Sequence, residues 1–504
     1  MKSTPALLLL VLASCDPPAP VAPPEAAAPV EVEVIESPPV DSVVRINSTR
    51  QEWNPGQPWE KRPPRRRRSL GAVVGPDRVL TTAEMVADAT YIEFETVDGL
   101  KLAPAVVIAV DYETNLALLG PEDPESGFFT GLQALEVAEP AGPGATLEIV
   151  QVEENGTPLV TKGTIQSLDT VSNFLDGQYF LTYELKASMQ SAASSFTLPA
   201  LRGGRLAGLL TSYNSKDQIS DITATEIVAR FLDDAADGDY QGFPSLGIAT
   251  SRTEDGSFRD WLKLPDEVGG IYVSSVRKGS AADRAELRKG DVITRIDGHD
   301  IDRIGYFEHE LYGRIFWSHL VRGAKGAGEE LQLEVLRDGE PLELTAKLER
   351  RDFREELVPA YTFGEAPNFL VKGGFVFQEL TRPLLEAFGD EWEARAPLNL
   401  LDAIENPEKY EDKAERIVFL AGVIATPATV GYEPLRNLIV TEVNGKPVRD
   451  MKSLIAAFDE VPPDGLHAIS FEDEDFDVYL DEVVSTAVDT QLLQRGLNRL
   501  SRAE

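Results

Sequence analysis

Histidine is nearly missing from this chain: there are four in 504 residues, and none precedes His299. Imidazole is the side chain whose ordinary pKa lies closest to neutral, so proton transfer in the N-terminal part must use another group. Cysteine is scarcer still. The single Cys15 excludes an intramolecular disulfide and any zinc or iron–sulfur site built from thiolates. Basic charge is thin, with 48 Lys plus Arg against 84 Asp plus Glu, a net charge of −36. Nucleic acid is therefore not an expected partner, because its capture requires clustered cations to neutralise phosphates. No apolar run approaches the ~20 residues that a helix needs to cross a bilayer. Neither a cofactor nor a metal is expected.

What is present is 42% hydrophobic and 26% charged residues, a composition that supports packed cores. At about 100–200 residues per domain, the length suggests about three domains.

Residues 1–14 read as a signal peptide. Met1-Lys2 supplies a positive start, and Ala6 to Ala13 is an apolar run of leader length. Leu12-Ala13-Ser14-Cys15 resembles a bacterial lipobox, which implies lipidation of Cys15 and an exported, membrane-anchored envelope lipoprotein. Residues 15–41, with PPAPVAPPEAAAPVEVEV, cannot bury a core; at ~3.1 Å per residue this stalk reaches on the order of 75 Å.

Residues 42–238 alternate short apolar strands with turns: Leu70–Val74, Tyr91–Thr96, Ala105–Val110, Ala145–Val152, Phe180–Leu185 and Leu206–Thr211. That spacing predicts an all-β barrel or sandwich. Thr223 and Glu226 are placed as a capping box before Ile227, Val228, Phe231 and Leu232, predicting a closing helix.

Three segments of this region resemble the trypsin-like HtrA/Deg proteases. LGAVVGPDRVLTTAEMVADA (Leu70 to Ala89) is similar to the segment bearing the family's catalytic His, DYETNLALL (Asp111 to Leu119) to that bearing the Asp, and SAASSFTLPALRGGRLAGLLT (Ser191 to Thr211) to that bearing the nucleophile. The resemblance puts Glu84 at the His position, Asn115 at the Asp position and Ser195 at the Ser position. A serine hydroxyl needs a neighbouring base to attack a carbonyl. An ordinary carboxylate, with a pKa of about 4.3, serves an alcohol poorly. The family's Gly-Asn-Ser-Gly-Gly run reads Ala193-Ser194-Ser195-Phe196-Thr197, without the glycines that shape an oxyanion hole. A catalytically silent barrel is the expectation. The alternatives are an endopeptidase of unusual mechanism, with Lys186 or a histidine from a later domain as base, and a holdase chaperone.

Residues 239–352 resemble a PDZ domain. Ser245-Leu246-Gly247-Ile248 matches its carboxylate-binding loop, and GSAADRAELRKGDVI (Gly279 to Ile293) its helix-to-strand signature. The resemblance implies capture of peptide C-termini as an added strand. Phe307, Leu311, Ile315 and Leu320 have near-helical spacing and predict an amphipathic helix over Tyr306–Val321 carrying His309 and His319. Those two histidines are read as surface or groove residues rather than metal ligands.

Residues 353–495 resemble the divergent second PDZ domain of a Deg subgroup, implying a homo-oligomer contact, and 496–504 read as a C-terminal tail. Val440 to Val448 predicts strand, Asn-Gly turn, strand. The run KRPPRRRR (Lys61 to Arg68) is open to two readings: contact with anionic lipid or an acidic partner, or a solvated lead-in whose arginines pair with carboxylates of the body. The expected fold is mainly β with α+β modules: a double barrel followed by two PDZ-like domains.

Overall fold

The computed structural model describes residues 40–189 and 197–503. The leader, Cys15, most of the stalk and Ser195 lie outside the described residues.

The first part holds strands β1 (Val43–Arg50), β2 (Trp53–Asn54), β3 (Gln57–Lys61), β4 (Arg65–Gly75), β5 (Arg78–Thr81), β6 (Ala89–Thr96), β7 (Leu102–Asp111) and β8 (Leu116–Pro121). Six of them close a barrel in the order β1-β4-β5-β8-β7-β6, while β2 and β3 form a separate hairpin. A second barrel follows from β9 (Thr146–Val152), β10 (Pro158–Ser172), β11 (Tyr179–Lys186), β12 (Leu198–Arg202), β13 (Arg205–Asn214) and β14 (Ile219–Thr223), ordered β10-β11-β14-β13-β12-β9. Closure leaves neither barrel an unpaired edge. All six strands expected from sequence are present.

Helix α1 (Thr225–Asp234) ends this region and buries Ile227, Val228 and Phe231. Its predicted capping box is not formed: the N-cap is Ala224, without a side-chain cap. Thr223 is spent as the last residue of β14, and the Glu226 carboxylate turns outward to the next domain.

That domain contains β15 (Ile248–Ser251), α2 (Gly256–Leu262), β16 (Ile271–Val276), α3 (Ala281–Arg284), β17 (Val292–Ile296), β18 (His299–Asp300), β19 (Tyr306–His309), β20 (Gly313–Phe316), α4 (Ser318–Arg322), β21 (Glu330–Arg337) and β22 (Glu340–Lys347). The sheet order is β15-β16-β17-β21-β22, with β18 beside β17. The amphipathic helix expected over Tyr306–Val321 is instead the β19–β20 hairpin plus one short helix. Phe307 and Ile315, eight apart, are cross-strand partners, and Gly313 sits at φ 74° just after the turn. A hairpin reproduces the apolar spacing without a helix.

The last domain is built on β23 (Phe369–Lys372), β24 (Phe375–Glu379), α5 (Arg382–Glu386), α6 (Trp392–Arg395), α7 (Leu398–Glu405), β25 (Val418–Val423), β26 (Leu438–Val443), β27 (Lys446–Pro447), α8 (Met451–Asp459), β28 (Leu466–Phe471), β29 (Val478–Asp481), α9 (Glu482–Gln494) and β30 (Ser501–Arg502). Its sheet runs β29-β28-β26-β25-β24-β23-β30. Residues 496–504, read from sequence as a tail, thus supply its edge strand. Asn444 and Gly445, both at positive φ, make the predicted turn between β26 and β27.

The domains are stitched together by non-local contacts. One continuous apolar cluster runs from the second barrel into the next domain, including Phe231, Phe243, Phe307 and Leu320. The β2–β3 hairpin docks on the last sheet. Trp59 is buried with its ring 6.0 Å from that of Phe369, Asn498 Nδ2 donates to the Trp59 carbonyl at 2.7 Å, and Gln378 Nε2 donates to that of Pro55 at 3.1 Å.

Candidate functional sites: a degenerate cleft and an open sheet edge

In the first barrel, β5 runs into a tight 3-10 turn, Ala83–Met85, which holds Glu84. Asn115 stands just before β8, buried, at φ 59°. That left-handed conformation is tolerated by Asn better than by most residues, because its short polar side chain can bond locally. Here Asn115 Oδ1 accepts the backbone N–H of Glu84 at 2.9 Å. The structure therefore brings Glu84 and Asn115 together, by a side-chain-to-backbone bond that fixes the turn.

The Glu84 carboxylate is engaged by the Arg67 guanidinium. Both groups are well exposed, so this pair contributes about 1 kcal/mol or less. Its effect is chemical: the oxygens that would accept a proton already face a permanent cation. Thr197, two residues after Ser195 in the same segment, places its Oγ1 2.7 Å from Thr82 Oγ1, two residues before Glu84. Ser195 itself is outside the described residues. Lys186, the alternative base, sits at the end of β11 with its ammonium donating to the Asp217 carbonyl.

Every histidine is committed elsewhere. His299 packs beside Phe307, His309 and His319 gather near Glu226, and His467 bridges Asn444 and Glu482. Among the described residues, no group of His, Cys, Asp and Glu is arranged to hold a metal ion.

Sequence reasoning missed what grips the loop before Asn115. Asp111 is buried, accepts Tyr240 Oη–H at 2.8 Å, and lies 3.6 Å from Arg350 Nη2. Burial pushes the Tyr240 hydroxyl well above its ordinary value, so it donates throughout the physiological range. Glu113 pairs with Arg322 of α4; burial raises its carboxyl while Arg322 pulls the other way. Tyr112 packs on Phe363 at 4.6 Å, in the segment between the last two domains. These partners lie far along the chain and carry no local motif. Arg67 was the one visible clue, within KRPPRRRR. Arg68 of the same run pairs with Glu95 and Glu154, as the second reading expects, although Arg65 to Arg68 are not a lead-in but the first residues of β4.

The second site is the opening of the next-to-last module's sheet, at Ser245 to Ile248. Leu246 is buried, and its carbonyl accepts the Ala282 N–H at 3.0 Å. Gly247 adopts φ 78°; a Cβ there would lie 2.3 Å from Ser280 Cβ. Glycine is thus required twice, for conformation and for space. The Ser245 N–H donates to the Glu349 carbonyl, whereas that of Gly247 meets only its neighbour Ser245 Oγ at 3.2 Å. A ligand carboxylate can displace that local bond. Strand β15 follows directly and pairs only with β16, so among the described residues its outer edge is open. In the last domain, by contrast, β24 is paired on both sides.

The fold and these sites define a trypsin-like double barrel followed by two peptide-binding-type modules. Two family models, each described as PDZ domain, match residues 244–348 and 358–496. The chain is 26% identical over 427 residues to protease Do-like 2, chloroplastic, of Arabidopsis thaliana, covering 83% of this chain and 68% of that protein. It is 27% identical over 435 residues to protease Do-like 4, mitochondrial, of the same plant, covering 86% and 79%. Among solved structures, the HtrA-type protease AlgW with decapeptide matches 63% of this chain and 97% of that one at 20% identity and a TM-score of 0.46. The chain is thus similar over most of its length to Do-like proteases and carries two PDZ domains.

Proposed function

We propose that this chain is a pseudoprotease: a lipid-anchored envelope protein whose first PDZ domain captures polypeptide C-termini and whose second contributes to a homo-oligomeric scaffold or adaptor. The observation that carries the reading is the state of Glu84. By resemblance it takes the place of the family's imidazole; its carboxylate faces Arg67, and its backbone is tied to Asn115, which has no charge with which to steady a cation. Losing the Ser or His of a triad can cost on the order of 10⁶ in turnover. The β15 edge, open among the described residues, and a Gly247 N–H held only by the neighbouring Ser245 hydroxyl leave strand addition available to a peptide.

The test is degradation of unfolded casein by the purified chain. No turnover is expected, and turnover abolished by Ser195→Ala would overturn the reading. Labelling of Ser195 by a fluorophosphonate probe would favour an active endopeptidase, and suppression of client aggregation that survives PDZ deletion would favour a holdase. Anchoring is tested separately: incorporation of labelled palmitate in a bacterial host should vanish in Cys15→Ser.

A further inference from the structure

The scarcest ionisable residue in the sequence is concentrated at one joint. Three of the four histidines, His299, His309 and His319, lie in the first PDZ domain, and His309 and His319 gather at its contact with Glu226 of α1. Glu226 reaches there from the start of α1. Tyr312 Oη–H donates to Glu226 Oε2 at 2.6 Å, and His319 Nε2 lies 2.9 Å from Glu226 Oε1. The His309 ring stacks on Tyr312, 4.3 Å between centroids, and stands edge-on to His319 at 6.1 Å. His309 Nδ1 accepts the backbone N–H groups of Leu311 and Tyr312, each at 3.3 Å. The turn so held presses on the barrel: a Cβ added to Gly142 would lie 2.7 Å from the Leu311 carbonyl oxygen.

We propose that the His309–Tyr312 turn is an acid-operated release that frees the first PDZ domain from the barrel. Nδ1 accepts N–H groups only while it is unprotonated, which puts the ring hydrogen on Nε2 at neutral pH. A proton on Nδ1 turns the acceptor into a donor facing two donors. The turn must then open, taking with it the Leu311 contact and the Tyr312 bond to Glu226. The groups facing His309 are Glu226 of α1, His319 of α4, His299 of β18 and Glu310 and Tyr312 of the turn; Tyr183 of β11 lies beyond Tyr312, bound to Thr225. Glu226 and Glu310 are the carboxylates that oppose a positive charge on His309, and Glu226 is already shared between Tyr312 and His319. Burial, and then the charge of His319, hold His309 below its ordinary value, with Glu226 pulling against them. The closed joint therefore favours the neutral ring, gains as pH rises, and is lost in acid. This proposal is independent of whether the barrel cleaves peptide bonds.

Pulsed electron–electron distance measurement on the full chain tests it, with spin labels at Lys216→Cys in the barrel and Lys289→Cys in the PDZ domain, in a Cys15→Ser background. Both label sites are exposed. A single distance is expected at pH 7.5, and a longer component should grow over about two pH units below pH 6.5, as a single imidazole titrates. His309→Asn should hold the single distance down to pH 5. Should that variant fail to fold, two others decide. Removing a like charge, His319→Gln moves the midpoint up; removing the opposing carboxylate, Glu226→Gln moves it down. A distance distribution unchanged between pH 7.5 and 5, an undiminished response in His309→Asn, or midpoint shifts of the same sign would each overturn the proposal.

Discussion

Gly247→Ala is the sharpest probe of the peptide-binding loop. At φ 78° an alanine incurs the left-handed penalty of about 1–2 kcal/mol. Its methyl would also lie 2.3 Å from Ser280 Cβ and 2.8 Å from Ser280 Oγ. Ser280 is the N-cap of α3 and accepts the Asp283 N–H at 3.2 Å, so displacing it removes a cap worth about 1 kcal/mol. The total is about 2–3 kcal/mol. The displacement also travels toward the ligand side, because Ala282 of α3 holds the Leu246 carbonyl. Binding can be followed by fluorescence anisotropy with a pool of labelled C-terminal peptides, and with the same pool amidated as a control. Affinity for the free carboxylates should fall more than tenfold. Adding Ser280→Gly removes the atoms in the way and leaves a tolerable cap. The double variant should therefore be about 1 kcal/mol more stable than the sum of the two single changes predicts. Strict additivity, or Gly247→Ala binding with native affinity, would show that neither the clash nor the loop conformation governs the site.

Burial raises the Asp489 carboxyl from 3.8 to about 6, although the Gly373 N–H donates to it at 2.7 Å. Because the folded value exceeds the unfolded one, the stability this group contributes is full below pH 3.8 and is lost as pH rises through 6. The difference is worth about 3 kcal/mol. Asp489→Asn should therefore slow hydrogen exchange of the slowest β24 amides by about two decades at pH 7.5 and hardly at all at pH 4. A gain that does not depend on pH would refute it. Trp59→Ala should cost about 3 kcal/mol and expose β23 and α9 to exchange; unchanged protection there would mean that the hairpin does not secure the last domain. Gly142→Ala, whose methyl strikes the Leu311 carbonyl, should separate the barrel and first PDZ domain at neutral pH by about 1–3 kcal/mol, read as a lengthened label distance.

The readable parts of the sequence were those in which local chemistry and final structure agree. Tyr91 to Thr96 alternates faces as a strand should, and the Asn444-Gly445 turn has two residues suited to positive φ. The signature from Gly279 to Ile293 resolves into α3 and the start of β17. The segment from Tyr306 to Val321 failed because apolar residues four apart fit a helix face and, across a turn, also fit two facing strands. Gly313 was the discriminating residue. The Thr223–Glu226 pair failed because a tertiary partner competed for the carboxylate: Tyr312 and His319 claim it from 86 and 93 positions away. At the candidate cleft, the identity of Glu84 and Asn115 was legible, but the Arg67 pairing and the grip of Tyr240 and Arg350 on Asp111 were not. Nothing near those residues in sequence announces them.

The attachment of the β2–β3 hairpin also constrains how the protein is made. Trp59 and the residue that caps its carbonyl, Asn498, are separated by 439 positions. At about 5–20 residues per second, a ribosome needs about 20–90 s to cover that distance. Both barrels can close during that wait, yet the indole lacks its full cover until Phe369, Val371, Val488 and Leu492, which cluster with it, have been made. A truncation within α9 that removes Val488 and Leu492 would take away part of the tryptophan's buried surroundings as well as the Asn498 bond to its carbonyl.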